Sequence, residues 1–130
     1  ILEAGKESRD FVYIDEVVDA TILGIAKDEA NYEVFNVGLG LAIDVNKVAS
    51  TLVKEYKSNS KISISGNYRL GDIKDNYADL TKIQTKLGFK PKVSFEEGIK
   101  RFTKWVNAQE VVEDQYEKSI NEMKEKGLYK

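Results

Sequence analysis

An alternating α/β fold is what this sequence predicts, and two observations carry it. Short runs rich in Val, Ile, Tyr and Phe are interleaved with longer stretches whose apolar residues recur at helical spacing. Most of the helical stretches also open on a residue suited to capping. With 42% apolar and 32% charged residues over 130 positions, the chain suits a globular domain with a buried core.

Taken in order, Phe11-Val12-Tyr13-Ile14 reads as a short buried strand. Asp15 is the expected N-cap of a helix in which Val18, Ile22, Ile25 and Ala26 keep helical spacing up to Lys27. Tyr32 to Val37 reads as a second strand, closed by Gly38-Leu39-Gly40. Asp44 caps the clearest helix, with Val45, Val48, Ala49, Leu52, Val53 and Tyr56 on one stripe. Ile62 and Ile64 alternate with serines as a strand before a turn at Gly66-Asn67. Asp79 or Thr81 caps a short helix ending at Leu87-Gly88, where glycine supplies the left-handed terminal residue. Ser94, with Glu97 three residues on, forms a capping box for a helix lined by Phe95, Ile99, Phe102 and Val106. A last helix with Val112, Tyr116, Ile120 and Met123 in register stops at Gly127.

Composition removes several function classes. Without Cys or His there is no thiol nucleophile, no imidazole base and no zinc site of the usual ligands. A net charge of −2 with both signs interspersed lacks the basic footprint of a nucleic-acid binder. No apolar run is long enough to span a membrane, and the start carries no secretory pattern, so no membrane partner and a cytoplasmic compartment are expected. The chain opens on Ile1, which makes a piece of a longer protein the expectation. Two segments are expected: residues 1–109, where acids and bases balance at 16 each, and a helical extension at residues 110–130, which holds the whole excess of acid.

The run Arg9-Asp10-Phe11-Val12-Tyr13-Ile14-Asp15-Glu16-Val17-Val18-Asp19-Ala20 resembles the nucleotide-sugar epimerase/dehydratase family, the extended short-chain dehydrogenases. Three further stretches match in the same order. They are Phe35-Asn36-Val37-Gly38; Arg69-Leu70-Gly71-Asp72 with Tyr77-Ala78-Asp79; and Lys86-Leu87-Gly88-Phe89 with Pro91 and Phe95-Glu96-Glu97-Gly98. The extension from Val112 to Leu128 is similar to the dTDP-L-rhamnose 4-epimerase-like members. The resemblance implies the C-terminal, substrate-binding lobe of that fold plus the last strands and helix of its Rossmann domain, with the N-terminal Rossmann portion absent.

The family's catalytic Tyr-x-x-x-Lys has no counterpart: none of the seven tyrosines has lysine four positions later. Gly38-Leu39-Gly40 does not extend to a dinucleotide fingerprint, because position 43 is Ile43. The resemblance therefore implies NAD in the parent protein with its site outside this chain. It also implies a chain inactive by itself, and C4 epimerisation of a nucleotide-sugar through a 4-keto intermediate in the parent, a homodimer. A dehydratase or reductase of the same family, or a non-catalytic nucleotide-sugar-binding module, would share this lobe.

Only three of the 20 basic residues are arginine, and two of them, Arg9 and Arg69, fall in the matched motifs. Arginine's planar fork clamps a phosphate bidentately, which lysine cannot do. The resemblance makes these two the grip on the pyrophosphate of a UDP- or dTDP-hexose; the alternative is ion pairing with Asp10 or Asp72. It makes Asp72 the acceptor for the nucleotide's sugar hydroxyls, against an exposed turn residue. Asn76 takes the position near the hexose. Phe11 lies near the nucleotide or belongs to the core. Phe102 and Trp105 offer a stacking surface, but their spacing with Ile99 and Val106 favours core packing. Arg101, opposite that stripe, is expected in solvent.

Overall fold

A computed structural model describes residues 1–110 and 112–130; Val111, inside the expected extension, lies outside them. Three two-residue strands, β1 (Ser8–Arg9), β2 (Ile43–Asp44) and β3 (Asp75–Asn76), form one sheet in the order β2-β1-β3. β1 runs antiparallel to β2, with Ser8 opposite Asp44, and parallel to β3, with Arg9 opposite Asn76. Around it lie α1 (Ile14–Ala26), a 3₁₀ turn (Asp28–Ala30), α2 (Val45–Glu55), α3 (Thr81–Leu87), α4 (Phe95–Val106) and α5 (Tyr116–Glu125). No helix among the described residues is long and apolar enough to cross a membrane.

The helix signals hold where they are local. The Asp44 carboxylate accepts the Lys47 amide at 2.7 Å and the Ser94 hydroxyl accepts the Glu97 amide at 3.2 Å, each satisfying one orphan donor of its helix. Asp79 accepts the Thr81 amide at 2.9 Å ahead of α3, and Gly88 ends that helix at φ 69°. The capping box at Ser94 is half made, because the Glu97 carboxylate turns along the helix to Arg101 Nε at 2.8 Å.

Three strand expectations are corrected. Residues 11–13 form no strand, and Ile14 already begins α1, whose N-cap is the extended Tyr13. Asp15 is thus a first-turn acid, favourable at the helix's positive end, and not the cap. Residues 32–37 form no ladder among the described residues; the run opens on Tyr32 in the left-handed region at φ 60°, so any extended stretch starts only after it. Residues 61–65 form no strand either, though Ser65 donates to the Ile1 carbonyl at 2.9 Å. The last helix begins at Tyr116, leaving Val112 outside it and 85% exposed.

The core gathers Ala20 of α1, Leu80, Ile83 and Leu87 at α3, and Phe89, with Leu23, Phe35, Val37 and Ala78 against them. Burying side chains such as Ile83 and Leu87 contributes roughly 1.5–3 kcal/mol each. α1 turns Glu16, Ala20 and Leu23 inward, while its apolar stripe of Ile14, Val18, Ile22 and Ile25 faces out. A second packing centre joins Phe11 to buried Phe95, ring centroids 5.7 Å apart, beside α2.

Glu33 fastens the irregular 32–37 segment to α3. Its carboxylate pairs with Lys82 at 2.7 Å and with Lys86. Hydrogen bonds from Lys82 and then Lys86, with their charges, hold it well below its ordinary 4.5, at about 2. A folded pKa below the unfolded one means stability that is present above about pH 4.5 and lost as pH falls toward 2. Thermal unfolding between pH 5 and pH 2.5 should therefore show a smaller acid loss in Glu33→Gln than in wild type. Parallel curves would show that the pair contributes nothing.

Candidate functional site

The site begins with the register of the small sheet. Because β1 and β3 run parallel with Arg9 opposite Asn76, two residues far apart in sequence stand side by side. The Arg9 guanidinium folds along the strand ends: Nη1 donates to the Ser8 carbonyl at 2.7 Å and to the Lys74 carbonyl at 3.0 Å. Arg9 and Asn76 line one cleft of about 470 Å³, together with Phe35, Asn36, Val37, Tyr77 and Ala78.

Asp10 also lines this cleft. Its Oδ1 accepts the Leu39 amide at 2.7 Å, and its Oδ2 accepts the amides of Gly40 at 2.9 Å and Ala78 at 3.1 Å. One carboxylate thus ties the Leu39–Gly40 turn to the backbone at Ala78. Gly38 allows it: a Cβ there would lie 2.4 Å from Asp10 Oδ2 and 2.7 Å from Ala78 Cβ. The Gly38-Leu39-Gly40 turn, which invites a phosphate reading, is occupied by a carboxylate of this chain. Asp10 is therefore no ion-pair partner of Arg9. Sequence reasoning weighed it only in that role; the missed signal was an acid in the strand run paired with a two-glycine turn whose amides need an acceptor.

Arg69 and Asp72 occupy a neighbouring cleft of about 360 Å³ with Glu3, Tyr68 and Gly71. Gly71 turns the chain at φ 87°, and Arg69 Nε and Nη2 both donate to Asp72 Oδ2, at 3.0 and 2.7 Å. The pair is half in solvent, so it contributes little to stability. Partial desolvation first, then the Glu7 and Asp72 carboxylates, push the Glu3 carboxyl up, while Arg9 pulls it down. Glu3 itself lines the Arg69–Asp72 cleft.

Phe11 is elsewhere. Its ring packs on Phe95 in a third, apolar cleft of about 380 Å³ with Val48, Leu52 and Ile99, which is the core alternative. Phe102 and Trp105 are corrected: they are 47% and 59% exposed, with ring centroids 6.0 Å apart. α4 buries Phe95 and Thr103 instead, so the face carrying the two rings is left open by this chain. Arg101 is exposed as expected, with Glu97 at 2.8 Å and its guanidinium 5.3 Å from the centre of the Tyr13 ring. No cluster of metal-binding side chains occurs among the described residues.

Comparison with known proteins defines the class. The family model described as GDP-mannose 4,6 dehydratase matches residues 1–102. The chain belongs to this nucleotide-sugar epimerase/dehydratase family of extended short-chain dehydrogenases and matches the C-terminal part of its folds. Among its relatives, dTDP-L-rhamnose 4-epimerase of Burkholderia thailandensis is 32% identical over 111 residues, 85% of this chain and 30% of that protein. UDP-glucuronate 4-epimerase 5 of Arabidopsis thaliana is 32% identical over 115 residues, 79% of this chain and 26% of that protein. The chain thus spans about 30% or less of the length of these two relatives. Among solved structures, UDP-glucose 4-epimerase of Thermotoga maritima with UDP-glucose superposes with a TM-score of 0.75 at 36% identity, covering 82% of this chain and 34% of that one. MoeE5 in complex with UDP-glucuronic acid and NAD superposes at 0.75 and 28% identity, covering 82% and 36%.

Proposed function

We propose that this chain is the nucleotide-sugar-binding part of an NAD-dependent 4-epimerase, with Arg9 and Arg69 on the pyrophosphate, Asp72 on the nucleotide's sugar hydroxyls and Asn76 beside the hexose. The observation that carries this is the juxtaposition of Arg9 and Asn76 across one cleft, with the Arg69–Asp72 pair in the next. Arg69 uses only Oδ2 of Asp72; Oδ1, without a partner among the described residues, is the oxygen assigned to ligand hydroxyls. Phe11, packed on Phe95, falls outside this set.

The residues present do not fit NAD, since the chain carries neither the glycine fingerprint nor Tyr-x-x-x-Lys. NAD and the proton-transferring tyrosine belong to another part of the whole protein, and this chain alone turns over nothing. What its residues do is hold. Two arginine forks fix the diphosphate, and binding energy so far from the reacting carbon orients the hexose for oxidation and reduction at C4. The same reading makes the whole protein a cytoplasmic homodimer. A dehydratase is the second reading, favoured by the description of the matching family model.

Titration of the whole protein with UDP and dTDP tests the assignment. A charge-assisted hydrogen bond is worth about 1.5–3 kcal/mol, so Arg9→Ala and Arg69→Ala should each weaken binding roughly 10- to 100-fold. Arg→Lys should recover only part of the loss, because the charge returns without the fork. Arg101→Ala, on α4 and in the lining of neither cleft, should change nothing. Equal affinity in wild type and both alanine variants would reduce Arg9 and Arg69 to structural residues.

A further inference from the structure

From residue 59 to residue 77 no side chain is buried, so apolar packing does not fix the segment that carries Arg69. Backbone hydrogen bonds fix it, from both sides. On one side Ser65 donates to the Ile1 carbonyl at 2.9 Å and Glu3 donates to the Asn67 carbonyl at 2.7 Å. On the other, the residues after α5 come back antiparallel, with Tyr129 bridged to Arg69. The Tyr68 amide donates to the Lys130 carbonyl at 2.6 Å, the Lys130 amide returns a bond to Tyr68 at 2.9 Å, and Leu70 donates to Leu128 at 2.9 Å. Asn67 Nδ2 adds a bond to the Tyr129 hydroxyl at 3.0 Å.

The returning residues are themselves anchored. Gly127 adopts φ 67°, a conformation that reverses the chain with no Cβ penalty. Its amide donates to Lys124 at 3.0 Å and the Leu128 amide to Met123 at 2.9 Å, a helix-end arrangement that seats residues 128–130 on α5. Lys124 Nζ lies 5.7 Å from the centre of the Tyr129 ring. All of this lies beyond residue 102, where the family match ends.

We infer that residues 128–130 are a positioning strap for the Arg69–Asp72 turn, holding the Arg69 fork where a nucleoside diphosphate meets it. This rests on the assignment of Arg69 to the diphosphate. The strap touches no ligand; it acts by pairing with the backbone on both sides of Arg69. A segment without buried side chains samples many conformations once such pairing is lost, and affinity falls with the fraction that remains competent.

The experiment uses the whole protein and two readouts. The first is amide hydrogen exchange at Tyr68 and Leu70, with α3 amides as reference. Deleting residues 128–130 should speed exchange at both sites and leave α3 unchanged. Lys130→Pro, which removes a single donor, should do so at the Tyr68 end, and Lys130→Ala, which keeps the backbone donor, should not. The second is UDP affinity by calorimetry. The deletion should weaken binding roughly 10-fold, as for a competent fraction reduced to about one tenth, and should cost less in an Arg69→Ala background, where only Asp72 is left on the turn to be positioned. Unchanged exchange, or an equal loss of affinity with and without Arg69, would overturn the strap. If the deletion loosens Tyr68 and Leu70 while Arg69→Ala leaves affinity intact, the diphosphate role of Arg69 fails and the strap's effect on binding fails with it.

Discussion

Asp10→Ala is expected to destabilise the protein by on the order of 3 kcal/mol and to open the Arg9–Asn76 cleft. The substitution removes the shared acceptor of three backbone amides, those of Leu39, Gly40 and Ala78. An amide left unsatisfied in a partly buried site costs about 1–3 kcal/mol, and hydrogen bonds to a charged acceptor are the stronger kind. The cost is a large share of the 5–15 kcal/mol typical of a folded domain. Asp10→Asn separates charge from geometry. Its single oxygen can replace Oδ1 or Oδ2 but not both, so at least one amide meets an NH₂ group; it should fall between wild type and alanine. Gly38→Ala should also destabilise, because the new Cβ would stand 2.4 Å from the same carboxylate. Denaturant unfolding gives the order, and an unchanged midpoint for Asp10→Ala would mean that the three amides are satisfied by water.

The elements legible in the sequence are those whose signal is local. Asp44 and Ser94 act within three residues of themselves, and Gly88 within one turn, so the starts of α2 and α4 and the end of α3 could be read directly. The strands were not legible, because a strand is defined by a partner that the run itself does not name. The apolar runs at residues 11–14 and 32–37 pair with nothing among the described residues, whereas the ladder forms between the mainly polar pairs Ser8–Arg9, Ile43–Asp44 and Asp75–Asn76. Periodicity located α1 but not which of its faces is buried. The stripe of Val18, Ile22 and Ile25 is open, and the inward face carries Glu16, Ala20 and Leu23. Spacing reports that a helix has an apolar face; it does not report which part of a protein covers it.

The residues of the candidate site were singled out by arginine scarcity and by resemblance, but their relation was not. Arg9 meets Asn76 only through the parallel register of β1 and β3, while Arg69 lies in a separate cleft, bonded to Asp72. Charge counting also sets residues 110–130 apart as a helical extension holding the excess of acid. The described side chains there are largely exposed, yet the backbone at 128–130 is part of the structure around Arg69, a role that composition does not express.

Glu16 is the second residue whose replacement should cost the most. It lies in the first turn of α1, where acids usually face water, yet only 5% of it is exposed. Its Oε2 accepts the Lys92 amide at 2.8 Å and so ties α1 to the segment that leads from α3 into α4. Glu16→Ala leaves that amide without its acceptor and removes buried volume, a loss of about 2–3 kcal/mol. Two further variants divide that loss. Glu16→Gln keeps a carbonyl oxygen at the same reach and should restore most of the stability. Glu16→Leu refills the volume with no acceptor and should remain close to the alanine variant. Denaturation midpoints in the order wild type, Gln, then Leu with Ala would assign the stability to the hydrogen bond. A leucine variant as stable as wild type would assign it to packing, and Glu16 would then hold the α3–α4 connection by volume alone.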